Sequence, residues 1–437
     1  MSKFKDSAEA LDTSLLLWPG LKHTNTSVSE VYDLLVYPQN SIIQGPGQTI
    51  FFNIPAQETG FLHDVEVHAK FRIKKANANL PAGEQVSIVN NISGALFSLV
   101  EAKIDDRINL LQQMSQSYGL CSLIEKCLSN DPNRADILYT RELFVMDTGD
   151  DKAQSQDGAY VISGTVTEIH NKGAGKRALS ISESKPCSVV SKLNIPLLRQ
   201  HKGILPKTRI SVNFTLNKNE YIILSKTTGA KYTCVLDDLY LKATYIKPQP
   251  ALLQVINDKL DKNPVIYEFD KQTLVARLLP AGSRNFTINN IFDSYLPKFV
   301  CFCLQTSSSM AGSLTTNNNT FYPIKSLNLW VNNKPFFAKA LTNAPVELLD
   351  QIYKTTRRDL KGASLITADN LALYQFFTLC LTNDRTFDSH YGLTELADTR
   401  LEIDLGEVST RSYLLLAYCL TDSLMEISKE GSVKVIQ

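Results

Sequence analysis

The feature that most constrains this chain is an alternation of apolar and polar residues with a period of two, recurring along most of its length. Val65, Val67, Ala69, Phe71 and Ile73 alternate with Glu66, His68, Lys70 and Arg72. Ile210, Val212, Phe214 and Leu216 alternate with Arg209, Ser211, Asn213 and Thr215, and Leu239, Leu241, Ala243 and Tyr245 follow the same rule. Leu327, Leu329 and Val331, then Leu401, Ile403 and Leu405, carry it into the second half. Successive strand side chains point to opposite faces, so each run predicts a strand with one face in a core and the other in water. Clean alternation favours antiparallel sheets. Gly45-Pro46-Gly47, Asn317-Asn318-Asn319 and Asn332-Asn333 supply turns between them.

Helical spacing is rarer. Leu120, Leu123, Ile124, Cys127 and Leu128 mark one amphipathic helix. Pro345 followed by Val346, Leu349, Ile352 and Tyr353 marks a second, with proline in its first turn. A short helix or coil is expected through Leu252–Leu260, and Pro248 and Pro250 before it mark a domain boundary. The two sides of that boundary are alike. Val100–Arg107, with Asp105-Asp106, precedes the first helix as Leu327–Lys334, with Asn332-Asn333, precedes the second. Thr208–Val212 and Leu239–Tyr245 close the first half as Thr399–Ile403 and Ser412–Leu420 close the other.

The fold class read from this pattern is all-β: two tandem jelly-roll β-sandwiches, a double jelly roll, with a few short helices. The expected division is a flexible N-terminal arm at 1–27, a first jelly roll at 28–247, a linker at 248–262 and a second jelly roll at 263–437.

Composition narrows function. Lys+Arg is 45 and Asp+Glu 44, a net charge of +1, which argues against a dedicated nucleic-acid binder. Low net charge also tolerates self-association. No run approaches the roughly 18 apolar residues of a membrane span. Leu15-Leu16-Leu17 is too short for the core of a secretory signal. The eight cysteines form no C-x-x-C pair and are expected as buried thiols in a reducing compartment. Five N-x-[ST] sequons, at Asn25, Asn91, Asn213, Asn285 and Asn318, are read as chance in a chain rich in Asn and Thr.

Motifs for chemistry fail one after another. Phe144-Val145-Met146-Asp147-Thr148-Gly149 resembles the carboxylate segment of an aspartic protease, but such a site needs two aspartates sharing a proton, and no second copy exists. It is read instead as a strand ending in a polar turn. Gly173-Ala174-Gly175-Lys176-Arg177 lacks the spacing of a phosphate loop, and Gly45-Pro46-Gly47 that of a dinucleotide loop. His63 and His68, five apart on one strand, fall on opposite faces and make poor joint metal ligands. Phe51, Phe52, Phe376 and Phe377 are expected in the core, and Lys202–Arg209 in a solvated loop. No catalytic, cofactor-binding or metal-binding residue is nominated, and no interface residue is singled out.

The order of these packing motifs resembles the double jelly-roll major capsid proteins of adintoviruses and Polinton (Maverick) elements, from about Tyr37 to Ile427. Tyr37-Pro38, Leu62–Ile73, Asn91–Phe97, Tyr118–Leu128, Leu143–Thr148 and Asn171-Lys172-Gly173 carry the likeness in the first half. Asn290-Ile291-Phe292, Leu296-Pro297, Gly312-Ser313, Val346–Tyr353, Leu379–Asp384 and Leu414–Ile427 carry it in the second. Two departures are Asp293-Ser294-Tyr295, where the family usually has glycine, and Leu379–Asp384, where it usually reads Phe-Asp-Leu-Thr-Pro-Asp.

The resemblance implies a structural, non-enzymatic protein. It would form pseudo-hexameric homotrimeric capsomers tiling an icosahedral virus shell. Neighbouring capsomers, penton and minor capsid proteins would be its partners, with no sequence-specific nucleic acid and no cofactor. It would be made inside the host cell and reside in the virion. The polar segments Gln305–Thr320 and Gly149–Ile169 would then sit at the outer end of the rolls, and the arm would face inward. The alternative is a jelly-roll carbohydrate- or receptor-binding protein, for which Trp330-Val331-Asn332-Asn333 would serve as a tip.

Overall fold

The computed structural model describes residues 27–41, 45–84, 86–148, 171–225, 229–292, 295–356, 364–382, 396–429 and 431–435. The first half holds β1 (Val28–Val36), β2 (Thr49–Ile54), β3 (Phe61–Lys75), β4 (Ala78–Asn79), β5 (Val86–Ile88), β6 (Phe97–Ile104), β7 (Ile108–Asn109), β8 (Cys187–Lys192), β9 (Ile210–Leu216), β10 (Ile223–Ser225) and β11 (Tyr232–Pro248). One sheet runs β1-β11-β3, with β4 and β8 both pairing with β3, and another runs β2-β9-β6-β7. The alternation lets each sheet bury one face. Val65, Val67 and Phe71 of β3 meet Ile50, Phe52, Val212 and Phe214 of the other sheet in one core.

The second half holds β12 (Val265–Leu279), β13 (Asn285–Asn289), β14 (Phe299–Thr306), β15 (Ser326–Val331), β16 (Lys334–Pro335), β17 (Leu341–Thr342), β18 (Phe377–Cys380), β19 (Thr399–Asp404), β20 (Tyr413–Ile427) and β21 (Val433–Val435). Its sheets run β12-β20-β14-β18 and β13-β19-β15-β16. Strand for strand this repeats β1-β11-β3-β8 and β2-β9-β6-β7, and every pairing is antiparallel. The internal likeness read from the sequence is therefore a duplicated jelly roll.

The paired polar turns mark equivalent points of the two copies. Asp105 and Asp106 have φ of 52° and 53°, and Asn332 and Asn333 have 49° and 60°. Positive φ at both central residues gives the hairpin turn whose twist suits flanking strands, and Asp and Asn tolerate that conformation best after glycine. The helix Ser117–Ser129 lies between β7 and β8, as Pro345–Thr356 lies between β17 and β18. A third helix, Pro250–Leu260, joins the rolls; proline opens it, and none of its residues is buried.

Two helices depart from the sequence reading. Ala135–Glu142 buries only Glu142, so no apolar stripe announces it. Lys172–Ile181 contains the glycine-rich run Gly173–Arg177, where helical spacing is not apparent in the sequence. Asn171 caps this helix by accepting from Ala174 N at 3.2 Å. Gly173 is required because a Cβ there would lie 2.4 Å from Met146 O.

Two further expectations are corrected. Phe51 is not in the core but 43% exposed, because β2 alternates and Phe52 takes the inner face. A bulge in β3, where Asp64 pairs with Thr244 but Leu62 with Tyr245, puts both Leu62 and Val65 inside. Across that bulge His63 and His68 no longer fall on opposite faces.

Candidate functional site at the seam between the two rolls

Each roll lends an element to the other's core. The helix Ser117–Ser129, from the first half, buries Leu120, Leu123 and Ile124 in the cluster built on β14, β18 and β20. In return Tyr267 of β12 and Met425 and Ile427 of β20 join the first-half core. The Tyr267 hydroxyl donates to Gly203 O at 3.0 Å and accepts from Leu205 N at 3.1 Å. Full burial of a Leu or Ile is worth about 1.5–3 kcal/mol, so this exchange couples the two halves strongly. The outer edge of β12 is also covered. Gln112 mimics a neighbouring strand, accepting from Leu274 N at 2.6 Å and donating to Leu274 O at 3.0 Å.

At the centre of the seam is a buried polar lock. Asp147 and Arg177 are both fully buried, and Arg177 Nη2 donates to Asp147 Oδ1 at 2.6 Å. Arg177 directs two further donors to Val145 O at 2.7 Å and Ile88 O at 2.8 Å. The second roll supplies the partners of Asp147 Oδ2: Asn317 Nδ2 at 2.9 Å and the Tyr374 hydroxyl at 3.3 Å. Asn90 Nδ2 donates to the Tyr374 oxygen at 3.3 Å, and Asn90 O accepts from Asn319 Nδ2 at 2.6 Å. Asn319 Oδ1 in turn accepts from the Tyr221 hydroxyl at 3.0 Å. Burial, with the Asp147 charge beside it, holds the Tyr374 phenol well above its ordinary range. An ion pair out of water persists only when its remaining lone pairs and protons are satisfied. Here residues from both rolls satisfy them, so the arrangement is a mechanical lock.

One reading is corrected: Asp147 does not follow a strand into a polar turn but is buried as the hub of the lock. In the segment Gln305–Thr320, expected at the outer end of the rolls, Gln305, Thr306, Ser309 and Asn317–Thr320 are buried, and Asn317, Asn318 and Asn319 bond residues of the first roll. Gly149–Ile169 lies outside the described residues, as do the arm up to residue 26, His23, His170, His390 and Asn25.

A second polar cluster lies on the first-roll side of the seam helix. Lys126 Nζ donates to Asn91 Oδ1 at 2.6 Å, to Ser93 Oγ at 3.1 Å and to Glu142 Oε2. Asn91 is fully buried, as is Asn318, so neither sequon presents an accessible side chain. Asn213 faces Glu101 at 3.4 Å from β9, and Asn285 opens β13 on the surface.

The remaining residues considered from the sequence do not converge. His68 stacks on Tyr240 at 4.7 Å, and burial draws its imidazole below the ordinary range. Trp330 is half-buried, with the Arg400 guanidinium 4.5 Å over its ring, so its face is already occupied. Seven cysteines are buried and Cys234 is half-buried. Among the described residues no group of three His, Cys, Asp or Glu is placed to hold a metal ion, and no helix is long and apolar enough to cross a membrane.

No protein-family model and no curated protein matches the chain. Solved structures do match. A chain of the Sputnik virophage, seen by electron cryomicroscopy, is similar at 12% identity over 98% of this chain and 93% of its own, with a TM-score of 0.66. PBCV-1 VP54, fitted into a reconstruction of the same virophage, gives 10% identity, 96% and 99% coverage and a TM-score of 0.60. The mavirus major capsid protein gives 11%, 100% and 96%, and 0.55. At such identities the likeness is one of fold, and it spans both chains end to end. With the strand order already established, it makes this protein a double jelly roll, built on the same plan as the mavirus major capsid protein.

Proposed function

We propose that this chain is the major capsid protein of an icosahedral virus of the adintovirus or Polinton type, acting in the virion as a homotrimer. The observation that carries the reading is the duplicated roll locked at its seam. Two upright sandwiches held rigidly side by side form one third of a nearly six-sided block, and such blocks tile a shell. A tile must resist shear between its halves, and the exchanged core elements and the bonds of Asn317 and Tyr374 to Asp147 supply that resistance. Neighbouring capsomers, pentons and minor capsid proteins would meet its surfaces. An obligate trimer of this kind would bury at least about 2,000 Å² per contact. Electron microscopy of the purified protein tests the reading. Top views with three-fold symmetry and a six-sided outline are expected. Isolated two-lobed particles that bind a glycan array would overturn it in favour of a carbohydrate-binding protein.

A further inference from the structure

We propose that Lys126 and Asn91 join in an intramolecular isopeptide bond inside the folded chain, with Glu142 as the proton acceptor. The proposal does not depend on the capsid reading. Three segments deliver an amine, a carboxamide and a carboxylate to one buried point. Asn91 is 0% and Glu142 8% exposed, and the Lys126 side chain is 16% exposed. Lys126 Nζ lies 2.6 Å from Asn91 Oδ1 and is hydrogen-bonded directly to Glu142 Oε2. The Phe144 ring, 5.9 Å from Nζ, is a further wall of the site. Holding reactants in contact replaces a bimolecular encounter by an intramolecular one, which removes much of the entropic barrier to such a reaction.

The surroundings suit acyl transfer. Asn91 is fixed in a left-handed backbone conformation, φ 53° and ψ 48°, and its Nδ2 donates to Gly119 O at 2.9 Å. Gly94 leaves that amide its space, because a Cβ there would lie 2.8 Å from Asn91 Nδ2. Ser93 Oγ lies 3.1 Å from Glu142 Oε2 and 3.4 Å from Asn91 Oδ1. Once Glu142 holds a proton, the Ser93 hydroxyl is free to turn its own hydrogen to the Asn91 carbonyl as charge develops there.

The step balances within the protein. Glu142 takes a proton from the Lys126 ammonium, and the freed Nζ lone pair attacks Asn91 Cγ. Glu142 returns that proton to Nδ2 as the Cγ–Nδ2 bond breaks, and the second Nζ proton leaves with the nitrogen as ammonium. A Cγ–Nζ amide forms, one ammonia is lost, and no oxidant or cofactor takes part. The bond would tie the seam helix, whose other face lies in the second-roll core, to the first roll.

Intact mass spectrometry of the full-length protein, with tandem sequencing of its peptides, tests this. The expected mass is lighter than the sequence mass by one ammonia, with the peptide holding Asn91 linked to that holding Lys126. Glu142→Gln and Lys126→Arg should each restore the full mass. The wild-type result decides even if a variant fails to fold. The full sequence mass with the two peptides separate would overturn the proposal. So would a loss of ammonia without the linked peptide, which would mean that an asparagine or glutamine had cyclised instead.

Discussion

Asn317 and Asp147 stand 170 residues apart, one in each roll, and the Asn317 amide donates to Asp147 Oδ2 at 2.9 Å where neither residue is open to water. A second-roll side chain thus completes the solvation of a first-roll charge. The seam is therefore as specific as either core, and its cost when broken is calculable.

Arg177→Met leaves the Asp147 carboxylate buried without its counter-charge. Removing one partner of a buried pair costs about 3–5 kcal/mol. The midpoint of denaturant-induced unfolding should fall accordingly, and a variant matching wild type would show that the pair is not buried.

Tyr374→Phe removes one hydroxyl that donates to Asp147 Oδ2 and accepts from Asn90 Nδ2. A hydrogen bond to a charged group contributes about 1.5–3 kcal/mol. Because Tyr374 and Arg177 share Asp147, the double variant should lose less than the sum of the singles. Thermal unfolding of the four proteins of that cycle reads the coupling.

Gly173→Ala tests the close approach of the helix Lys172–Ile181 to Met146 O. The added methyl forces the helix off its seat, and overpacking of this kind costs about 1–3 kcal/mol. An exposed glycine such as Gly83, whose Cβ would meet nothing within 4 Å but whose φ is 77°, is the control for backbone strain alone.

Asp404 is held below the ordinary carboxylate range, first by Arg284, whose Nε and Nη2 donate at 2.8 and 2.9 Å, and then by Gly406 N at 2.7 Å. A carboxyl depressed in the folded state stabilises it above its unfolded value, and that stability is lost as pH falls through the folded value. Melting temperatures should fall more steeply for wild type than for Asp404→Asn as pH is lowered below about 4.

Burial pushes the Cys187 thiol up to about 11 and Cys234 up to about 12, and holds Cys301 and Cys303 well above the ordinary thiol range. The thiolate is the nucleophile, so a thiol reagent at mildly alkaline pH should find the native protein inert. Cys187 should be the first of these four to react, and all eight cysteines should react in denaturant.

The sandwiches were legible because alternation reports one buried face directly, as β3 and β9 show. The repeat was legible at Asp105-Asp106 and Asn332-Asn333, since a two-residue hairpin demands residues that accept positive φ. The seam was not. Asn317-Asn318-Asn319 has the composition of a solvated turn, and only its partners Asp147, Tyr221 and Asn90 make it a buried one. Lys172–Ile181 was hidden by Gly173 and Gly175, poor helix formers, of which Gly173 is seated against Met146 O. Lys126, Asn91 and Glu142 form no motif, because contact between three distant segments leaves no spacing to read.

Light scattering of the purified protein tests the central claim most directly. A mass of three times the 48.7 kDa chain, stable on dilution, is the result the capsomer account predicts. A monomer that persists at micromolar concentration would contradict it.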